Sequence, residues 1–405
     1  MKLTHRQKIF APGQAVRRLL LSTVLVAVGT AGTSLTATAA DDKIKYDFYG
    51  FVQLDAIYDF NRMNPSWKDS LRPSQIPVNC PGDAGCGTDG ETIFSVRQTR
   101  FGVTAAIPTD VGELKTKLEF ELYGVGSDEG KTTPRLRHAY GEIGAFLAGQ
   151  TWSTFMDIDV FPNTIEYWGP PSMIFWRNIQ LRWSPLRGEK NSVALALESP
   201  SSALDDGKLS GISPDLNLTG KTKYPDFTAH WRTNGDWGHA QVAGILRQVS
   251  YENTASADGE PSGSEAGYGI NLSGSLKLGK KGALKAQLAY GKAIASYFND
   301  GGIDLAPSGS GDAETLAILG WLLFYDHSWS DKFTSSIGWA MTDQDNSDGQ
   351  NDDAFAGNQY GAVNLLYYPV KAIMLGVELQ YGQFEQKDGK TADDTRMQFT
   401  SKYMF

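Results

Sequence analysis

Arginine is the residue whose placement in this chain calls for a chemical reason. Past residue 40 the sequence has twelve arginines; nine of them fall between residues 97 and 247, and after Arg247 only Arg396 remains. A guanidinium is a flat fork of donors that fits the paired oxygens of a carboxylate or phosphate. Arg100, Arg135, Arg137, Arg182 and Arg232 each alternate with apolar neighbours. A chain of period two would therefore put all five on its polar face. A row of them along one wall would form a ladder for anions. The same residues also fit a solvated face of mixed charge, since Lys115, Lys117, Glu119 and Glu121 bring both signs into one segment.

A second chemical group lies at residues 153–175. This stretch carries Phe155, Ile158, Val160, Phe161, Tyr167 and Trp168, together with the acidic Asp157, Asp159 and Glu166. A water-facing loop has no use for so many apolar side chains. The segment is expected to fold inward and narrow the interior, with its three carboxylates facing the arginines. Packing against a neighbouring subunit is the other arrangement that would cover it. Two cysteines, Cys80 and Cys86, share one Pro/Gly-rich stretch. In an exported protein they read as a small disulfide staple, and no His or further Cys stands near to make a metal site. His138, His230, His239 and His327 sit in no nucleophile or base motif, so an enzyme is not expected, and neither a cofactor nor a metal is. Neither Gly301–Asp304 nor Asp343–Asn346 has calcium-loop spacing.

Several elements must position these groups. Lys2, Arg6, Lys8, Arg17 and Arg18 precede an apolar run at Leu19–Val28, which is followed by Ala37-Thr38-Ala39-Ala40. Basic, apolar, small is the order of a secretory signal peptide, expected over residues 1–40. The apolar run is too short for a membrane anchor, which takes roughly 20 residues. The whole chain carries −9; the leader holds five of its cations and no acid, so residues 41–405 stand at −14. Nucleic acid is a poor partner for such a chain.

The remaining sequence repeats with period two. Ile373, Leu375, Val377, Leu379 and Tyr381 alternate with Met374, Gly376, Glu378 and Gln380. Leu114–Leu122 and Tyr268–Leu278 behave alike. A soluble sandwich also alternates, but its strands run about five or six residues, and here many segments reach ten. Tight turns at Pro108–Asp110, Ser330-Asp331 and Pro369-Val370 take turns with long polar loops at 61–92, 200–220, 250–266, 296–314 and 343–356. Aromatic residues gather near segment ends, as at Tyr58, Phe60, Trp183, Tyr290, Trp329, Tyr367 and Tyr368. Long loops at one end, short turns at the other and aromatic girdles between are the marks of an outer-membrane barrel. The segments number sixteen, near 44–60, 92–108, 111–125, 135–144, 145–152, 176–185, 190–199, 222–233, 236–249, 267–279, 282–295, 315–328, 331–343, 356–369, 371–386 and 393–405. The expected fold is all-β: one transmembrane antiparallel β-barrel domain over residues 41–405, with a loop folded into an aqueous lumen. A plugged lumen would need apolar filling, and the inward faces read as Asn, Ser, Lys, Gln and Gly.

Arg97-Gln98-Thr99-Arg100-Phe101-Gly102, Arg135-Leu136-Arg137-His138-Ala139-Tyr140-Gly141, Gly149-Gln150-Thr151-Trp152-Ser153-Thr154-Phe155 and Glu166-Tyr167-Trp168-Gly169-Pro170 resemble the DcaP-like porins. The layout is shared over residues 41–405, and the specific matches lie in 97–182. The resemblance implies a sixteen-stranded homotrimer in the outer membrane, in contact with lipid and lipopolysaccharide. It also implies an arginine-lined lumen that passes small anionic solutes such as dicarboxylates. A general diffusion porin without anion preference, or a barrel enzyme, are the alternatives. Some members carry an N-terminal helical segment that aids trimerisation, and in this sequence the barrel pattern starts almost at the expected cleavage point.

Met397, Phe399, Tyr403 and Phe405 lie on one face of the last segment, and Phe405 closes the sequence. A terminal aromatic strand of this kind resembles the signal read by the barrel-assembly machinery. Deleting Phe405 is expected to cut assembled, heat-modifiable protein severalfold while leaving export intact, as membrane fractionation would measure.

Overall fold

The computed structural model describes residues 44–78, 90–211, 216–221, 223–310 and 312–405. The expected cleavage point near residue 40 and both Cys80 and Cys86 lie outside the described residues. Sixteen antiparallel strands close into one barrel, with each strand paired to its sequence neighbours. They are β1 Lys45–Asp59, β2 in two pieces (Glu91–Ser95 and Arg100–Thr109), β3 Gly112–Tyr123, β4 Thr132–Ile143, β5 Phe146–Trp152, β6 Arg177–Arg187, β7 Asn191–Glu198 and β8 Asp226–Gly235. The second half runs β9 Gly238–Asn253, β10 Gly263–Leu278, β11 Gly282–Lys292, β12 Ala317–Ser328, β13 Phe333–Gln344, β14 Phe355–Val370, β15 Ile373–Gln386 and β16 Thr391–Met404. Every one of the sixteen expected segments is found.

Closure is made by β16 against β1, in register from Phe51↔Met404 to Asp59↔Arg396. Phe405 extends that seam by exchanging two backbone bonds with Gly50, at 3.1 and 3.2 Å. A side chain at Gly50 would strike both the Arg100 carbonyl and the Phe405 ring, so glycine is required there. β2 breaks at residues 96–99, where Arg97 turns into the interior to bond Asp69 at 2.5 Å and the Gly124 carbonyl at 3.0 Å. Across the break the Thr99 hydroxyl accepts the Gln53 N–H at 3.2 Å, which keeps that donor satisfied.

The two ends of the barrel differ as the turn pattern implies. One end has turns of two to four residues, two of them built on left-handed glycines, Gly144 at φ 55° and Gly279 at φ 66°. The last short turn falls at residues 371–372, because β14 runs through Pro369-Val370 before turning. The other end carries the long loops. In one of these, Leu305–Pro307 pairs with Ala313–Thr315.

Between the ends runs an exposed apolar belt that includes Leu272, Leu288, Leu323, Val363, Leu379 and Phe399. The alternate positions are buried and polar, among them Asn271, Gln287, Asn364, Glu378, Gln398 and Thr400. This is a sheet turned inside out relative to a soluble sandwich, and it is stable only in lipid. The lumen is less polar than the sequence implies. Over the wall from β9 to β15, Ile245, Ile318, Leu322, Phe324 and Tyr360 face inward and pack on Phe155, Val160, Ile174, Tyr297 and Phe298 from two loops. Apolar filling therefore occupies one side of the barrel. The sequence reading missed it because β12 is apolar on both faces (Ile318, Leu319, Leu322, Leu323), and parity cannot say which face a loop will cover.

Leu272 sits mid-belt on β10. Replacing it with Arg is expected to cost about 2–4 kcal/mol of folding free energy in lipid. Serine at the inward Asn271 should act differently, through the lost bond to the Phe155 carbonyl. Urea titration of the vesicle-refolded variants would measure both.

Candidate functional site: a cationic wall facing an inward loop

The central element is β3, whose Glu119 and Glu121 lie two residues apart and so share the inward face. Both are buried, at 3% and 1% exposure. Register sets Arg100 of β2 beside Glu121 on one flank, and Arg135 of β4 beside it on the other. A register shift between Glu119 and Phe120 in the β3–β4 pairing leaves Arg137 as an extra residue beside both carboxylates. Its guanidinium donates to Glu119 at 2.7 Å and to Glu121 at 2.5 Å. Arg100 reaches Glu121 at 3.4 Å, Arg135 at 3.8 Å, and Arg177, the first residue of β6, at 4.0 Å. One carboxylate thus stands within 4.0 Å of four guanidiniums. The Tyr167 hydroxyl of the 153–176 segment donates to the same carboxylate.

Over this cluster lies a cavity of about 570 Å³. Arg100, Arg135, Arg137, Arg177 and Lys402 of β16 line it, together with Phe161, Tyr167, Trp168, Phe175 and Trp176. The four guanidiniums stand over two carboxylates, Glu119 and Glu121, and Glu119 is also shared with Lys117 at 3.3 Å. The wall therefore keeps an excess of positive charge facing the cavity.

The 153–176 segment reaches across the interior to the inward side chains of most strands. Asn271 and Gln241 donate to the Phe155 and Met156 carbonyls at 2.9 and 3.0 Å. Gln287 accepts from the Ile174 N–H at 3.2 Å. Glu378 of β15 accepts the Ile165 and Glu166 N–H groups at 2.9 and 3.0 Å. Each bond satisfies a loop backbone group that water would otherwise have to reach.

The three acidic residues of this segment do not stand together opposite the arginines. Asp157 accepts from Arg232 at 3.2 Å, from His239 at 2.8 Å and from Ser273 at 2.8 Å. Burial opposes its ionisation, but these donors hold its carboxyl below the usual range. Asp159 pairs with Arg232 at 2.6 Å. Glu166 lines the cavity, but its oxygens accept the Leu71 N–H at 2.9 Å and the Gly169 N–H at 2.5 Å. Burial pushes its carboxyl up to about 7, with Glu378 adding to the rise.

Of the five arginines picked out by parity, Arg100, Arg135 and Arg137 meet at the cavity. Arg182 donates to Gln180 at 2.9 Å and to the Trp152 carbonyl, and Arg232 fastens the loop. Arg177 and Lys402 were missed. Arg177 stands where loop becomes strand, and alternation says nothing there. Lys402 was legible, since it continues the inward series Gln398, Thr400. Asp157, Asp159 and His239 approach one another as metal ligands might, but Arg232 already bonds both carboxylates. His239 and Ser273 both bond Asp157 instead of each other, so they form no relay for a serine nucleophile.

A closed sixteen-strand barrel with a lipid-facing apolar belt and a charged interior is an outer-membrane channel of the porin class. The model of the DcaP outer membrane protein family matches residues 25–405, and the chain belongs to that family. The fold is similar to the outer membrane channel DcaP of Acinetobacter baumannii, at 20% identity and TM-score 0.75, covering 92% of this chain and 100% of that one. It is also similar to an anion-selective porin from Comamonas acidovorans, at 10% identity and TM-score 0.56, covering 90% and 100%. An outer membrane protein of Vibrio cholerae in trimer form shares the fold at 12% identity and TM-score 0.52, covering 89% and 99%. No curated protein matches the sequence.

Glu166 has its folded pKa raised from 4.5 to about 7. Its contribution to stability is therefore complete below pH 4.5 and is lost as pH rises through 7. Wild-type stability should fall between pH 5 and 8, by an upper bound of about 3 kcal/mol. Glu166→Gln should remove most of that slope, as urea unfolding at the two pH values would show.

Proposed function

We propose that this outer-membrane channel is a passive, anion-preferring pore for small solutes bearing carboxylates, dicarboxylates among them. One observation carries the reading: five cations line the cavity, while the carboxylates behind them are already engaged and those of the facing loop are turned to other partners. A passive channel selects by fixed charge and width. The acidic outer loops matter less to selectivity, because screening over roughly 8 Å at physiological salt separates them from the narrow region. The 153–176 segment sets that width in this reading, with aromatic rings as its inner edge. We read no catalytic activity into the barrel.

The chain is exported by residues 1–40 and works as a homotrimer amid lipid and lipopolysaccharide. Cys80 and Cys86 form a loop staple that transport does not need. A thiol assay on native protein should find neither cysteine free.

Planar-bilayer recording of the purified protein in a KCl gradient tests the central reading. The reversal potential should report preference for chloride. Arg100→Gln or Arg135→Gln should each lower the anion-to-cation permeability ratio about two- to fivefold, the effect of one charge several ångström away in a water-like medium. Lys277→Gln, near the short-turn end of β10, should do less. A cation-preferring wild type would leave a general diffusion porin.

A further inference from the structure

We infer that Arg72, on the first long loop, is a positioning residue for Trp168 and through it sets the width of the passage past the cavity. The inference rests on the reading that the 153–176 segment sets that width, and it is independent of any charge preference.

The loop after β1 reads as polar in the sequence, yet residues 61–78 turn into the barrel. Met63, Leu71 and Ile76 are buried in the same apolar cluster as Phe155 and Val160 of the 153–176 segment. The break in β2 supplies the anchor for this inward turn. Arg97, directed inward there, bonds Asp69 of the loop at 2.5 Å. The Tyr123 and Ser95 hydroxyls donate to the same carboxylate at 2.9 and 2.5 Å. Beyond that anchor the chain brings the Leu71 N–H to Glu166 at 2.9 Å, and the next residue is Arg72.

Arg72 joins three segments that are far apart in the chain. Its guanidinium carbon lies 4.1 Å from the ring centre of Trp67, in its own loop, and 4.2 Å from that of Trp168. The two indoles meet edge to face, with centres 4.9 Å apart and planes at 76°. Arg72 therefore occupies the corner between them. Indole is the best aromatic partner for a cation, and the attraction grows as water is excluded. The Arg72 Nε donates to Asp300 at 2.9 Å. This buried carboxylate also accepts the Ser74 N–H and hydroxyl, both at 2.8 Å. The neighbouring Asn299 carbonyl accepts the Trp168 indole N–H at 2.7 Å. Trp168 is thus held on its face by Arg72, and at its edge by the segment that Arg72 grips.

Trp168 and Asn299 line the cavity, whereas Arg72 does not. Arg72 acts on the passage through another residue. Its charge is paired with Asp300, so its contribution is chiefly to fix a large ring. A displaced indole changes the free cross-section and leaves the strand wall as it was. Width, with fixed charge, is what a passive channel selects by.

Single-channel recording of the full protein in KCl, with neutral ethylene glycol oligomers of graded size as probes, reads conductance and size limit together. Heat-modifiable migration identifies the variants that assemble. Trp168→Ala should raise unitary conductance about 1.5- to twofold and admit larger oligomers, as a widened passage requires. Arg72→Ala should move both readouts the same way. The double variant should match Trp168→Ala alone, because a residue that acts only through Trp168 then has nothing left to hold. Arg72→Lys keeps the charge but loses the flat fork. It should give part of the rise with the wild-type KCl reversal potential, and it stands in if Arg72→Ala fails to assemble. Wild-type conductance and size limit in the assembled Arg72 variants, beside a changed Trp168→Ala, would overturn the inference and leave the width reading in place. Additive effects in the double variant would overturn it as well. An unchanged Trp168→Ala would remove the width reading itself, and the inference with it.

Discussion

Glu121 is a single carboxylate on which four guanidiniums and one phenol depend. Arg100, Arg135, Arg137 and Arg177 come from three strands, and Tyr167 comes from the loop that crosses the barrel. Four guanidiniums on one wall would repel one another strongly in a medium of low dielectric. The buried carboxylate lets them converge, and Glu119 beside it doubles the effect. Breaking a buried charge cluster of this kind by removing one partner typically costs several kcal/mol, because the remaining charges stay buried and unpaired. The arginine wall is therefore a property of β3 as much as of the strands that carry the arginines.

The same contact couples wall and loop. Tyr167 reaches Glu121 from one side, while Ile165 and Glu166 are held by Glu378 on the other. The segment is thus fastened to two separate strands, β3 and β15, and its apolar residues fill the space over β9 to β15. The cavity lies beside β1, β2, β4 to β6 and β16, where the cations stand. The asymmetry comes from ordinary packing, since an apolar loop goes to the apolar part of the wall. The polar part is left to the cavity.

Much of the barrel was legible in the sequence because its period is rigid. In a strand, residues i and i+2 share a face, and in lipid a misplaced charge is expensive, so alternation at Tyr268–Leu278 or Ile373–Tyr381 has one stable orientation. The inward orientation of Arg100, Arg135 and Arg137 followed from that rule. Arg177 escaped it, since it begins a strand directly after an irregular segment. The apolar filling of the lumen escaped for a related reason, as β12 is hydrophobic on both faces.

By itself, the sequence determined the fold class, the sixteen strands, the face of the residues in regularly alternating strands and the kinship with the DcaP family. Each of these rests on local periodicity or on a contiguous motif. Only the tertiary structure decided which charges meet. Glu121 and Tyr167 are 46 residues apart, and Asp157 and His239 are 82 apart. Their contacts depend on the path of one loop across the interior. Alternation fixes a side chain's face, but it leaves open its partner across the lumen. The acidic residues of the loop could have faced the arginines as easily as they turned to Arg232 and to backbone N–H groups. That choice was made by closure of the barrel around the loop, which brought Arg232 to Asp157 and Asp159 and the Leu71 and Gly169 N–H groups to Glu166.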